Sequence, residues 1–475
     1  MFFPNTNGDH GGNGSSRRRF IQSCCAMATG SISSSILQLQ LTQRLLAQTG
    51  GNDYRALVCL FLDGGNDSHN MLVPYEQSEY DDYFSIRLDP SQGGLALSRD
   101  SLLPIATSGG RSFGLHPAMT GIKQLYDQGD VAFIANVGSL VEPTDYSDYQ
   151  SNNNLPLGLF SHSDLTRHWQ TGLPQSRAAA TGWGGRTADI LTDPADRDDP
   201  IPLAISLDQV NRFQSAVYAN PYVVTAYEGA VEYDAFESNW APDIVVRTAM
   251  EEIFARQDSN LLRQTYQDLT RQSIDAASQY NEATSSVTFN TEFPQSYLAR
   301  QLERIARTIA AAPTLGHSRQ TFFVSYGGWD HHNDLIGPQN NMLGQVSAAL
   351  SAFHACLSEL GLNDSVTTFT ASDFGRTLAG NGQGSDHGWG GNQMVIGGSV
   401  SGGDVYGEYP TSLAAGNPLD LGRGRLIPTM SVDEYAAELV MWMGLGNNSD
   451  LETVLPNIRN FYATGSSDSP VGFLA

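Results

Sequence analysis

The chain has almost no lysine. Lys123 is the only one, every other basic side chain is arginine, and the 26 basic residues face 50 aspartates and glutamates for a formal net charge of −24 over 475 residues. A nucleotide-binding P-loop needs a Gly-Lys-Ser/Thr step, which Ile122-Lys123-Gln124 does not supply. A pyridoxal Schiff base would have only Lys123 to use, and the pattern around it reads as a helix surface. The shortage of cations also argues against nucleic acid and anionic lipid as partners, because no basic surplus exists to release counterions from phosphates. Cysteine is scarce too, at four residues. Cys24 and Cys25 fall in the amino-terminal segment; Cys59 lies in an apolar run and Cys356 on the stripe of a helical pattern. Both of the latter read as core thiols rather than a disulfide or a metal site. Glycine and proline, at 48 and 21 residues, are too few for a disordered chain, and 40% hydrophobic residues leave ample core.

The amino terminus carries Ser16-Arg17-Arg18-Arg19-Phe20-Ile21-Gln22 ahead of a weakly apolar stretch, Ser23 to Leu46. The stretch is too rich in serine and glutamine for a stable membrane span but suits a signal segment. Its arginine pattern is similar to a twin-arginine export signal. We expect residues 1–48 to be that signal, with the translocase as a transient partner and a periplasmic or extracellular destination. Residues 49–475 are then one composite α/β domain with no stable membrane span.

The remaining pattern alternates strands with helices. Arg55 to Leu62 is a continuous apolar run that stops at Asp63-Gly64-Gly65-Asn66-Asp67, as expected of a strand buried on both faces. Similar runs occur at Val131 to Val137, Thr321 to Tyr326, Val366 to Ala371 and Gln393 to Ile396. Leu343, Val346, Leu350, Phe353, Leu357 and Leu360 recur at helical spacing, and Ser431-Val-Asp-Glu434 spells a capping box. The expectation is a three-layer α/β fold: a mostly parallel central sheet flanked by helices, with a largely helical insertion at about 211–312. Ligands should gather at the carboxyl ends of the strands.

Four segments after strands are rich in metal-binding side chains: Asp63 to His69, Gly327 to Asp334, Ser372 to Thr377 and Ser385 to Gly388. Each is an ordinary turn composition alone, but carboxylate and imidazole together suit zinc, manganese or another divalent cation. The segments Leu60-Phe-Leu-Asp-Gly-Gly-Asn-Asp67, Gly-Trp-Asp330-His-His332, Thr370-Ala-Ser-Asp-Phe-Gly-Arg-Thr377 and Asp386-His-Gly388 follow the order of the DUF1501 family. The chain resembles that family over nearly its whole length after the signal.

The resemblance implies an alkaline phosphatase/sulfatase-like fold and one or two divalent ions (zinc, manganese or calcium). It carries metal-binding roles onto Asp63, Asp67, Asp330, His332, Asp373, Asp386 and His387. Of the first pair, Asp67 is the preferred ligand. Where sulfatases and phosphomutases have Ser-Asp-His-Gly, this chain has Ser372-Asp373-Phe374-Gly375, which leaves the second metal position short of an imidazole unless Asp386 or His331 rebuilds it. The nucleophile of such proteins opens a helix, which points to Ser161 or Ser163 beside His162; a serine there also suits a plain helix cap. Arg376 is expected either to grip a tetrahedral anion bidentately or to form a structural ion pair with the neighbouring aspartates. The implied activity is metal-dependent hydrolysis of phosphate or sulfate esters of small molecules or carbohydrates. The alternative is a relative that binds an anionic or carbohydrate ligand without turnover.

Overall fold

A computed structural model describes residues 53–194, 199–218 and 221–474, and Tyr54–Ala475 forms one unit within it. The arginine motif and the expected signal lie outside the described residues. The strands of the central sheet are β1 (Arg55–Asp63), β2 (Val131–Gly138), β3 (Ala204–Ser206), β4 (Tyr222–Val223), β5 (Arg319–Gly327), β6 (Val366–Ser372), β7 (Gly391–Ile396), β8 (Asp404–Tyr406) and β9 (Met430–Ser431). Their order is β8-β2-β7-β6-β1-β5-β3-β4, with β9 also paired to β2. All pairings are parallel except those of β7, which runs antiparallel to both β2 and β6.

The mostly parallel α/β architecture is as expected. Period-2 geometry splits β1 between two cores: Ala56, Val58, Leu60 and Leu62 face one, Leu57, Cys59 and Phe61 the other. The first core is covered by α4 (Tyr297–Ala310) and α5 (Ile336–Glu359), the second by α6 (Val432–Trp442). Leu343, Val346, Leu350, Phe353 and Leu357 of α5 are buried, and Ser431 with Glu434 forms the capping box of α6. Cys59 and Cys356 are free, buried and on opposite sides of the sheet.

Two further helices, α2 (Ala241–Phe254) and α3 (Leu261–Ser285), precede α4. No helix of the described residues is long and apolar enough to cross a membrane. The register brings the site together: Asp63 of β1 is level with Gly327 of β5, and Leu62 with Ser372 of β6. The turns after three adjacent parallel strands therefore open at the same edge.

Candidate metal centre

Three imidazoles meet at that edge, each delivered by a different element. His162 is the first residue of α1 (His162–Thr171), whose N-cap is Ser161. The preceding Phe160 has φ +68°, a backbone conformation that non-glycine residues adopt only under constraint and that often marks a functional turn. His332 follows β5 through Gly328, whose φ of +105° allows the chain to double back. His387 ends a two-stranded ribbon, Arg376–Gly380 with Ser385–His387, in which it pairs with Arg376.

Behind each ring stands an oxygen. His162 Nδ1 is 2.6 Å from Asp373 Oδ2, His332 Nδ1 is 3.1 Å from Asp386 Oδ1, and His387 Nδ1 donates to the Phe160 carbonyl at 2.7 Å. An imidazole whose Nδ1–H is held in this way presents a lone pair at Nε2. The three Nε2 atoms stand around one carboxylate oxygen, Asp330 Oδ1, at 3.5 Å for His162, 3.1 Å for His332 and 3.5 Å for His387. His332 Nε2 and His387 Nε2 are 2.9 Å apart, and His162 Nε2 is buried without a hydrogen-bond partner. When both rings are neutral and protonated at Nδ1, neither of the two close nitrogens carries a hydrogen, and a cation between them would relieve the repulsion of their lone pairs. Tetrahedral donors around a zinc-sized ion stand roughly 3.3 Å apart. The residues present therefore fit a divalent metal. Among the described residues, His162, Asp330 and His387 form a set with ligand atoms within 4.8 Å of one another; His332 is outside that set and joins it through its 3.1 Å approach to Asp330.

The electrostatics agree with that reading. Burial tends to raise the Asp330 carboxyl, but the Arg376 guanidinium at 2.9 Å and the charges of His332 and His162 outweigh it and hold the group below its ordinary range. Burial lowers His387, aided by the charges of His162 and Arg376. The hydrogen bond to Asp373 raises His162, so a proton competes with metal for its Nε2. Asp386 falls to about 2: burial opposes this, but Asn381, Arg423 and His332 all hydrogen-bond its carboxylate.

The expected ligands thus separate into shells. Asp330, His332 and His387 face the centre, while Asp373 and Asp386 stand behind His162 and His332 as orienting carboxylates. Asp67 does not join them: both its oxygens accept from Arg87, and the pair is fully buried. Asp63 is exposed at the end of β1 and is absent from the converging set. Its carboxyl is raised by partial burial and by the neighbouring charge of Asp373.

Arg376 is not free to clamp an anion. Its buried guanidinium donates to the Gly64 carbonyl, the Ser385 carbonyl and hydroxyl, and Asp330, so it braces three loops at once. His162 was expected beside a nucleophile and instead turns its ring into the cluster. Ser161 holds the N-cap position without a side-chain capping bond, and its exposed hydroxyl is 3.1 Å from that of Ser163. His331 stays apart, with its buried Nδ1 unpartnered. Sequence reasoning missed the Phe160 carbonyl and Arg423, since a backbone acceptor and an arginine that grips Asp386 have no motif of their own. Phe374 packs between the rings, 4.9 Å from His162 and 4.7 Å from His387.

Solved structures with low likeness to this chain include a Ps i-CgsB complex with k-i-k-neocarrahexaose (8% identity, TM-score 0.33, covering 86% of this chain and 76% of that one). A PsFucS1 sulfatase from Pseudoalteromonas sp. shows 9% identity and TM-score 0.32, over 86% of this chain and 71% of that one. A second Ps i-CgsB structure shows 10% identity and TM-score 0.33, with 86% and 77% covered. No curated protein matches. The model of the family described as "Protein of unknown function (DUF1501)" matches residues 54–422, and the chain belongs to that family.

Proposed function

We propose that the protein is an exported, metal-dependent hydrolase of phosphate or sulfate esters, on small-molecule or carbohydrate substrates. The observation that carries the reading is the convergence of three Nε2 atoms and Asp330 Oδ1 within 3.5 Å of that oxygen, each ring tied at Nδ1. Three imidazoles and one carboxylate suit zinc or another borderline metal better than calcium, whose sites are built from oxygen. A bound divalent ion would supply Lewis-acid polarisation of an ester oxygen. His162, His332, His387 and Asp330 would hold it, with Asp373, Asp386 and the Phe160 carbonyl keeping the rings aimed. Ser161 or Ser163 would supply the nucleophilic hydroxyl at the amino end of α1, where free backbone N–H groups favour developing negative charge. A histidine would assist as general acid toward the leaving oxygen. The twin-arginine motif supports export of the folded, metal-loaded chain.

A second reading, a binder without turnover, is favoured by Phe374, which stands where the resemblance implies a histidine and packs against His162 and His387. The test is elemental analysis of exported, dialysed protein, followed by a screen of phosphate and sulfate esters. Near-stoichiometric zinc or manganese with ester turnover that His387→Ala removes supports the hydrolase. Metal without turnover, or no retained metal after reloading, overturns the hydrolase and favours the binder.

A further inference from the structure

The hairpin made by α2 and the amino-terminal half of α3 leaves a broad apolar surface open. α2 is 14 residues long and buries none of them. Helices of about that length are marginal in water unless an apolar face is covered. Leu261 is 77% exposed, Leu262 81%, Tyr266 73% and Val245 69%. Met250, Ile253, Phe254, Leu262 and Tyr266 line a groove of about 410 Å³ between the helices. By side-chain size, the exposed apolar area of the hairpin is on the order of 1,000 Å², where a monomer tolerates a few hundred and a stable interface needs roughly 800 Å² per partner.

Charge selects the occupant. Residues 241–272 carry five acidic and four basic side chains, whereas the whole chain has a net charge of −24. Arg256 pairs with Glu252, Arg263 with Asp258 and Arg271 with Asp275, so these charges are largely neutralised in place. Two copies, each of net charge −24, repel one another as wholes, while the nearly neutral hairpin adds little to that repulsion. An anionic membrane or an acidic partner meets the same repulsion from the rest of the molecule, without the compensation of a second matching hairpin. The patch also offers both a groove and projecting side chains such as Leu261, as a two-fold contact between identical surfaces requires.

We propose that the hairpin is a homodimer interface, in which α2 and α3 of one copy pack against α2 and α3 of a second about a two-fold axis. The test is sedimentation velocity of the full exported chain from low to high micromolar concentration, beside a variant carrying L262E and Y266E. Both residues are more than two-thirds exposed, so the variant should keep the wild-type circular dichroism. The expected result is a wild-type mass of two chains that falls to one in the variant. A wild type that stays monomeric, or a dimer that the variant leaves intact, overturns the proposal. So does a monomeric wild type that floats with phosphatidylcholine vesicles, which would make the patch a lipid surface.

Discussion

His162, His332 and His387 are alike in what they face and differ in what stands behind them: two carboxylates and one backbone carbonyl. His387→Ala should abolish retained metal while the fold survives, because the ring is partly exposed and packs mainly on other site residues. Asp373→Asn should weaken metal binding by about 10–100-fold without removing a ligand, as expected when an orienting carboxylate is neutralised. Titration with a competing chelator checks both; unchanged affinity in either would remove that residue from the centre. Asp330, His332 and His387 were legible in sequence because Asp-His-His and Asp-His-Gly follow strand-like runs. The role of His162 was not, since a histidine opening a helix carries no sign of where its ring turns. Asp67 misled for a physical reason: its motif position fits a ligand, but Arg87, the last residue of the helix Gln77–Arg87, takes both oxygens.

A buried carboxyl outside the site gives the pH prediction. Asp433 lies in the first turn of α6, and burial pushes it up to about 8 against the opposing charge of Arg186. The native state thus holds this proton more tightly than the unfolded chain does. The stabilisation is complete below about pH 4 and is lost as pH rises through about 8. Asp433→Asn should flatten that loss by an amount on the order of a few kcal/mol. Urea midpoints at pH 5 and pH 8.5 would show it; parallel curves for the two proteins would count against it.

At the scale of elements, strands were read more easily than what surrounds them. The apolar run of β1 fixes a doubly buried strand because few other structures accommodate seven successive buried side chains. The antiparallel course of β7 could not be read, since strand direction leaves no trace in hydrophobic pattern. The turn after β1 links element to site. Gly65 has φ +83°, and a Cβ there would come 2.4 Å from Phe374, the ring that packs on His162 and His387. Gly65→Ala should cost about 1–3 kcal/mol and loosen metal through the displaced phenyl ring. Denaturation midpoints and chelator titration on one preparation test this, and a neutral effect on both would mean the turn yields freely.

For the whole molecule, a metal held at the proposed centre would act as a clasp between parts that are remote in sequence. α1, the turn after β5 and the ribbon that ends at His387 converge there, and none of them is joined to the others by a strand pairing. Nothing in the unfolded chain brings these segments together, so a metal that binds the native arrangement alone must stabilise it. At free metal about 100-fold above its Kd the gain is about 2.7 kcal/mol. Chelation should therefore lower Tm and added zinc restore it, with His387→Ala insensitive to both treatments. The net charge of −24 makes that control necessary, because acidic surfaces attract divalent ions without any site. A nonspecific effect would persist in His387→Ala and fade as sodium chloride is raised. A clasp built from half-buried, directly ligating imidazoles would vanish in the variant and withstand the salt better than a surface effect.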